Sequence, residues 1–319
     1  MKKCFEPCAG SSTLSSMWDL LKKTFYKWLG QNPFEHSAAL AYFTLFSLAP
    51  TLILAIGVAG MIFGNQAAEG RIFYEIKNLI GAEGADMIQR LIESASFQRR
   101  DVLATLVGGA LFLLGATAVF AQLKRSLNEM WSVRPDPAVS DIAYFFKTRL
   151  LALAMVVVFC FILLVSLVLT AILAAFGDWI ALYLDVPAWT LGAMNLLLST
   201  SLIAVLFAMI FKVLPDVHLY WKDVWVGAAV TALLFAGGKY LIALYIGNTG
   251  VASLYGAAGS LVVVMIWVYY SSLILFLGAS FTQVYTAKRG RRVRPMKNAV
   301  HYKTEIYTEE PSKKEGGRS

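Results

Sequence analysis

The chain has 319 residues, of which 58% are hydrophobic and only 15% are charged, and its mean hydropathy is +0.63. Soluble domains carry about 25% charged residues, so the composition excludes an ordinary soluble enzyme and indicates an integral membrane protein. The net charge of +8 is confined to flanks and tails, which is typical of basic cytoplasmic loops that face anionic lipid. We therefore expect anionic membrane lipids as partners and no nucleic acid.

The N-terminal segment, residues 1–36, is predicted to be cytoplasmic and to contain one amphipathic helix over Ser15–Gly30. Its apolar side chains gather on one face and its lysines lie off that face: Trp18, Leu21, Phe25, Trp28 and Leu29 against Lys22, Lys23 and Lys27. This pattern fits a helix on the surface of a negatively charged leaflet. A helix packed on another part of the protein is the alternative.

Six apolar segments follow that are long enough to span the membrane, since ~30 Å of hydrocarbon takes ~20 helical residues. They are residues 37–63, 102–123, 149–176, 189–211, 224–246 and 260–285. Asn65–Asp101 is too polar to span and is predicted to form two short amphipathic helices on the outer surface. The predicted fold class is all-α: a polytopic membrane bundle of six transmembrane helices over residues 37–287, with amphipathic surface helices.

The distribution of Lys and Arg predicts the orientation. These residues mark the N-terminal segment, the second and fourth connections between spans and the C-terminal tail, whereas the third and fifth connections have none. The positive-inside rule then places both termini in the cytoplasm, with the mixed-charge segment Asn65–Asp101 as the exception. The basic tail, residues 288–319, is predicted to be cytoplasmic and disordered.

Two polar residues in the predicted spans are candidate contacts for a substrate or a lipid head group. The fifth span is apolar except for Lys239, and Asn195 lies at comparable depth on the fourth. A lysine at this depth can snorkel to the interface, or it can place a cation in a cavity that attracts an anion. Both interpretations stay open.

A second set of residues suggests hinges or close packing. Pro50 lies near the middle of the first span, where a proline removes a backbone donor and kinks a helix. Gly238 lies inside the fifth span, and Gly256 and Gly259 come just before the sixth. In addition, a stripe of small residues on the fifth helix is suited to close helix contact: Ala228, Ala232 and Ala236.

Several short motifs, in this order and at this spacing, resemble the YihY/BrkB family. They are Leu40–Pro50, Gly115–Thr117, Ser126–Trp131, Trp225–Ala228 and, most specifically, Tyr255–Ser260 with Trp267–Tyr270 and Leu277–Ala279. The resemblance covers roughly residues 25–288. It implies a bacterial inner-membrane protein with six helices. In this family, some members carry a ribonuclease BN label and others are tied to serum resistance or envelope integrity.

Two positions depart from the family pattern. Ser280 stands where family members often have a glutamate at the end of the last helix, and Ala236 stands where many have a glutamate before the Gly238-Lys239 pair. The chain therefore keeps the membrane cation without the two acids that might neutralise it. We do not expect an acid-dependent proton-coupling role.

Residues with catalytic or metal-binding chemistry are few. The spacing of Cys4 and Cys8 is a weak metal signal, and Cys160 lies in an apolar helix where packing is expected. The three histidines do not cluster in the sequence: they are His36, His218 and His301. His218 and the nearby Asp216 are expected to be solvated in a loop. Neither a phosphate-binding loop nor a Gly-x-Ser-x-Gly elbow is present.

We therefore predict no enzyme activity, no cofactor and no metal. The favoured function is transport or export of an anionic or amphipathic envelope component, such as a lipid. A non-transporting scaffold for envelope partners is the alternative, and a membrane-associated ribonuclease is less favoured. A homo-oligomer is compatible with all three functions.

Overall fold

A computed structural model describes residues 13–47, 70, 73, 89, 102–183, 188–249, 259–291, 293–297 and 299–302. These ranges include seven helices: α1 (Thr13–Leu29), α2 (33–47), α3 (Val102–Met130), α4 (Asp141–Tyr183), α5 (Ala188–Val213), α6 (Trp221–Thr249) and α7 (Gly259–Lys288). They also include four short strands: β1 (Val133–Pro135), β2 (Val217–His218), β3 (Arg294–Pro295) and β4 (Ala299–His301).

The helices confirm a mostly helical membrane protein. Four of them contain a stretch long and apolar enough to cross a membrane: Ile142–Phe159, Gly192–Val213, Trp221–Ile246 and Leu261–Lys288. These stretches overlap the predicted third to sixth spans. Helix α3 contains the predicted second span, and α2 covers the first part of the predicted first span. Pro50, Gly256 and the predicted surface helices of residues 65–101 lie outside the described residues, apart from three single helical positions.

Two helix ends differ from the prediction. Helix α3 continues beyond residue 123 to Met130, and α4 begins at Asp141 instead of 149, so only residues 131–140 connect them. Two polar side chains in the added turns of α3 have a buried partner, because Lys124 and Asn128 both bond to Asp216. A helix can therefore run past its apolar stretch here while remaining inside the protein.

The strands hold the C-terminal segment against two loops. Strand β1 pairs antiparallel with β4, with Arg134 opposite Val300, and β2 pairs antiparallel with β3, with His218 opposite Arg294. We call residues 131–140, 214–220 and 289–302 together the strand-bearing end. The prediction of disorder is wrong for the described part of the tail, because loop backbones supply hydrogen-bond partners that composition does not reveal. Residues 303–319 lie outside the described part.

Helices α6 and α7 approach each other very closely. A Cβ added to Gly227 would lie 2.9 Å from the Cβ of Thr282, and one added to Gly278 would lie 2.8 Å from the Cβ of Thr231. Each threonine hydroxyl donates to a carbonyl of its own helix, at 2.6 Å for Thr231 and 2.8 Å for Thr282. The hydroxyls are thus satisfied without a partner across the interface, and the two backbones can touch.

The stripe of small residues on α6 is largely buried, as expected for close packing. Ala228 and Ala232 are fully buried, and Ala236 is half-buried. Gly238 is also a close-packing position, because an added Cβ would lie 2.6 Å from Cδ1 of Ile274. Gly259 is buried at the start of α7. A hinge role for these glycines remains a prediction.

Helix α1 combines the two interpretations of the amphipathic segment. Leu20, Thr24 and Trp28 are buried on the side that packs against α7. Five other apolar side chains of α1 are exposed: Met17, Trp18, Leu21, Phe25 and Leu29. Trp28 therefore belongs to the core and not to the predicted surface face. The apolar face of α1 is wide, so one part of it packs against the protein and the other part remains exposed.

Candidate functional site

A buried ion pair lies at the strand-bearing end. Lys124 Nζ is 2.6 Å from Asp216 Oδ1. The other carboxylate oxygen, Oδ2, accepts hydrogen bonds from Asn128 Nδ2 at 2.8 Å and from the Tyr144 hydroxyl at 3.3 Å. The Asp216 backbone N–H donates to Asn128 Oδ1 at 2.7 Å, and its carbonyl accepts from the Met296 N–H at 2.9 Å. One aspartate thus joins α3, α4 and the C-terminal segment.

The electrostatics of this cluster favour a structural role. The Lys124 side chain is only 2% exposed and lies just beyond the predicted second span. Burial lowers the pKa of Lys124, while the hydrogen bond and charge of Asp216 oppose that shift. The Asp216 carboxylate already accepts bonds from three side chains, so it has little capacity left for a ligand.

Sequence reasoning missed this cluster. Asp216 was expected to be solvated beside His218, but it is buried, whereas His218 is exposed. Lys124 and Asn128 are visible in the sequence as two polar residues four positions apart, on one face of a helix end. Their acidic partner is 92 residues after Lys124 and 88 after Asn128, and no local pattern indicates that contact.

A second buried carboxylate joins the ends of α6 and α7. Asp223 lies in the first turn of α6, and its side chain is fully buried. Arg291 Nη1 donates to both carboxylate oxygens, at 3.1 and 3.0 Å, and Arg289 Nη1 lies 3.6 Å from Oδ1. The Arg291 guanidinium also lies 4.8 Å from the ring centre of Tyr220. Two arginines of the basic run after α7 are therefore held by one acid.

Ser280, one of the two departures from the family pattern, takes part in a neutral network. Its hydroxyl is fully buried and donates to Oε1 of Gln31 at 2.9 Å. The amide nitrogen of Gln31 donates to the Met130 carbonyl and to Gln283 Oε1. The network connects the turn after α1 with α3 and α7. A serine here joins three elements without placing a charge among them.

Lys239 lies inside the apolar stretch of α6 and is half-buried. Its Nζ lies 5.3 Å from the ring centre of Tyr240, which is 58% exposed. Within the described ranges, Lys239 makes no ion pair with a carboxylate. Asn195 lies in α5, but its side chain is outside the described part, so its proximity to Lys239 stays a prediction.

The histidines lie in separate places. His36 Nε2 is 3.7 Å from Glu129 Oε2, and its ring packs edge-on against Phe276. His301 lies in β4, near the carbonyls of Ser132 and Val293. Among the residues that the structure describes, no group of three or more His, Cys, Asp or Glu side chains could hold a metal ion.

Comparisons with known proteins give a consistent result. The family model described as Virulence factor BrkB matches residues 24–302. The UPF0761 membrane protein of Tolumonas auensis is 26% identical, over 80% of this chain and 83% of the relative. That of Vibrio campbellii is 28% identical, over 76% and 74%. That of Alkalilimnicola ehrlichii is 26% identical, over 78% of this chain and 54% of a longer relative. No solved structure gives a significant match.

The residues matched by the family model include the range over which the sequence motifs resemble the family. The matched range contains α2 to α7 and all four strands, and in this chain it contains both buried carboxylates and Lys239. The chain belongs to the BrkB virulence-factor family of membrane proteins, which includes the UPF0761 membrane proteins.

Proposed function

We propose that the protein transports or exports an anionic or amphipathic envelope component, such as a lipid, across the bacterial inner membrane. In this proposal it has six transmembrane helices and both termini are cytoplasmic. The observation that carries the proposal is Lys239, a half-buried cation in the apolar stretch of α6 that has no carboxylate partner in the described ranges.

The charge of Lys239 has an energetic cost that a negative partner would offset. An ionised side chain within the hydrocarbon is costly, by about 3 kcal/mol on insertion scales, and it is retained where it pairs or binds. The Tyr240 ring supplies only a weak cation–π contact. An anionic head group would supply the missing charge. Snorkelling competes with this role, because the apolar stretch of α6 ends at Ile246, about 10 Å beyond Lys239.

The ordered C-terminal segment supports transport over the scaffold alternative. A scaffold that captures partners through its basic tail needs that tail to be available. Strands β3 (Arg294–Pro295) and β4 (Ala299–His301) instead pair with loops of the same chain, and Arg289 and Arg291 are held by Asp223. The part of the tail nearest the bundle is therefore already engaged.

We propose no catalytic role. The Asp216 carboxylate is buried and accepts three side-chain hydrogen bonds, so it is poorly placed to activate water. We accordingly expect purified protein to leave tRNA precursors intact in the presence of Mg²⁺, Mn²⁺ or Zn²⁺. Cleavage that a nuclease-free preparation retains would favour the ribonuclease alternative.

Translocation in proteoliposomes tests the transport proposal. Head-group-labelled phosphatidylglycerol and a membrane-impermeant quencher report how fast lipid equilibrates between leaflets. We expect the wild-type protein to accelerate equilibration and Lys239→Met to slow it about tenfold, which corresponds to the loss of one ionic contact. Lys23→Met, the same exchange at an exposed position of α1, is the matched control. Equal acceleration by wild type and Lys239→Met would remove the cation from the mechanism, and no acceleration by folded protein would reject lipid transport.

The proposed topology has its own test. A green fluorescent protein fused after Ser319 should fluoresce, because it folds in the cytoplasm. The same protein inserted between α4 and α5 should remain dark, and alkaline phosphatase at that position should be active. A fluorescent insertion between α4 and α5 would contradict the orientation.

A further inference from the structure

A cavity opens beside the second buried carboxylate. It has a volume of about 650 Å³ and is lined by His218, Leu219, Tyr220, Gly290, Arg291 and Arg294. We call these six residues the arginine pocket. Its volume lies within the range of small-molecule sites, about 300–1,000 Å³. The pocket forms where the β2–β3 pair meets the start of α6 and the end of α7.

A turn at Gly290 and the β2–β3 pair form two sides of this pocket. Gly290 adopts a left-handed conformation, with φ at 68°, and nothing lies within 4 Å of where its Cβ would be. This turn ends α7 and directs the chain back across the ends of the helices. The pairing of His218 with Arg294 then fixes the opposite wall. Both walls are held by backbone hydrogen bonds.

Arg291 lines the pocket and is held in place by its partners. Asp223 is fully buried and accepts both of its bonds from Nη1 of Arg291. In the described part of the chain, Nε and Nη2 of Arg291 therefore have no hydrogen-bond partner. The Tyr220 ring beside the guanidinium adds a second restraint. A guanidinium held in this way presents a planar set of donors, which suits the bidentate binding of phosphate oxygens.

Arg294 supplies the charge that Asp223 does not neutralise. Its side chain is exposed, and the structure shows no ion pair for it among the described residues. Asp223 is bonded to Arg291 of the pocket and is already shared between Arg289 and Arg291. Three arginines against one carboxylate leave an excess of positive charge.

The location of the pocket matches that of a lipid head group. Helix α6 begins at Trp221 and α7 ends at Lys288, and both contain membrane-spanning stretches that reach these ends. Tyr220 is 59% exposed and Trp221 is 47% exposed, which is typical of aromatic side chains at a membrane interface. The arginines therefore lie at head-group depth at one end of α6.

We propose that the arginine pocket binds a phosphoryl group, carried by the head group of an anionic phospholipid. This proposal deepens the proposed function and rests on it for the transport step, because the pocket would recognise at the membrane surface the same lipid that Lys239 attracts about 27 Å further along α6. A free phosphate compound offers the same chemistry, so the source of the phosphoryl group is part of the test.

The test measures binding to purified full-length protein in detergent by thermophoresis. The ligands are dibutyryl phosphatidylglycerol, dibutyryl phosphatidylcholine and inorganic phosphate. We expect phosphatidylglycerol to bind more tightly than phosphatidylcholine. We also expect Arg294→Gln to weaken the binding of phosphatidylglycerol about tenfold. Arg294 is exposed and pairs with its neighbour strand through the backbone, so Arg294→Gln should fold. Lys297→Gln, an exposed change outside the pocket, should bind like wild type.

The outcomes separate the sources and the two proposals. Phosphate that binds as tightly as phosphatidylglycerol and competes with it assigns the pocket to soluble phosphate compounds and overturns the lipid assignment. Equal phosphatidylglycerol affinity in wild type and Arg294→Gln, or no binding by folded protein, overturns the pocket. Binding that requires Arg294, together with no translocation in proteoliposomes, supports the pocket and rejects transport. Lys239-dependent translocation with no binding rejects the pocket alone.

Discussion

Lys124 and Lys239 both lie on long helices, but their surroundings differ. The Lys124 side chain is 2% exposed and lies 2.6 Å from the Asp216 carboxylate. Lys239 is half-buried beside the Tyr240 ring and has no carboxylate partner in the ranges that the structure describes. The first lysine is neutralised within the protein, and in our proposal the second attracts an anion from outside it.

Lys124 has a structural role, whereas Lys239 is the residue that we propose acts on a ligand. The Lys124 cluster connects α3, α4 and the C-terminal segment, and its polar groups satisfy each other. In the region around Lys239, α6 packs on side chains of α7, because Gly238 lies against Ile274 and Tyr270. Removing Asp216 should therefore reduce stability, whereas removing the charge of Lys239 should reduce activity.

Breaking the Asp216 pair should have the largest effect on stability. Asp216→Ala leaves the Lys124 ammonium buried without its acid, which costs about 3–5 kcal/mol of unfolding free energy. Unfolding in mixed micelles with increasing dodecyl sulfate measures this loss. Asp19→Ala, at an exposed aspartate of α1, should change stability by less than about 0.5 kcal/mol. A similar small loss for both variants would show that the pair is not a structural contact.

Substitutions in the α6–α7 interface should have the second-largest effect on stability. Gly227→Ala and Gly278→Ala each place a methyl group against a threonine of the facing helix, and overpacking of this kind costs about 1–3 kcal/mol. Gly237→Ala is the matched control, because nothing lies within 4 Å of its added Cβ. The same unfolding measurement should rank both interface variants below the control. A neutral Gly227→Ala would mean that the helices are further apart than the structure has them.

The neutral network of Ser280 should have a smaller effect. Ser280→Ala removes the hydroxyl that donates to Gln31 and leaves an amide oxygen unsatisfied, which costs about 1 kcal/mol. Ser272→Ala is the matched control, because that hydroxyl bonds only to a carbonyl of its own helix. Unfolding midpoints of the two variants should differ, with Ser280→Ala lower. The reverse order would contradict a connecting role for Gln31.

The smallest effect on stability is expected for Lys239. Lys239→Met removes a charge that has no carboxylate partner in the described part of the chain, so stability should change by less than about 0.5 kcal/mol or rise. Lys124→Met is the contrasting variant, and it should destabilise because it leaves the Asp216 carboxylate buried without a cation. Thermal unfolding of both variants measures the difference. A loss at Lys239 as large as at Lys124 would show that the two lysines play the same role.

The sequence predicted the features that local composition controls. Apolar length predicted spanning helices, and the small residues of α6, with Ala228 and Ala232 fully buried, predicted close packing. Lys239 was visible because a single charge interrupts an apolar segment.

Long-range pairing was not visible in the sequence. Asp216 finds Lys124 across 92 residues, and β3 and β4 are only two and three residues long, too short for a periodic pattern. The arginine pocket was not predicted for the same reason: the loop before α6 and the segment after α7 form it together. Its basic residues were visible only as a charge run.

The charge selectivity of translocation tests the central claim most directly. Proteoliposomes with wild type, Lys239→Arg or Lys239→Met would be supplied with labelled phosphatidylglycerol or labelled phosphatidylcholine, and the ratio of the two rates compared. We predict a preference for phosphatidylglycerol in wild type and Lys239→Arg, and a clearly smaller preference in Lys239→Met, because the Lys239 cation favours an anionic head group over a zwitterionic one. An unchanged ratio in Lys239→Met, at normal folding and orientation, would contradict the claim that Lys239 attracts the substrate.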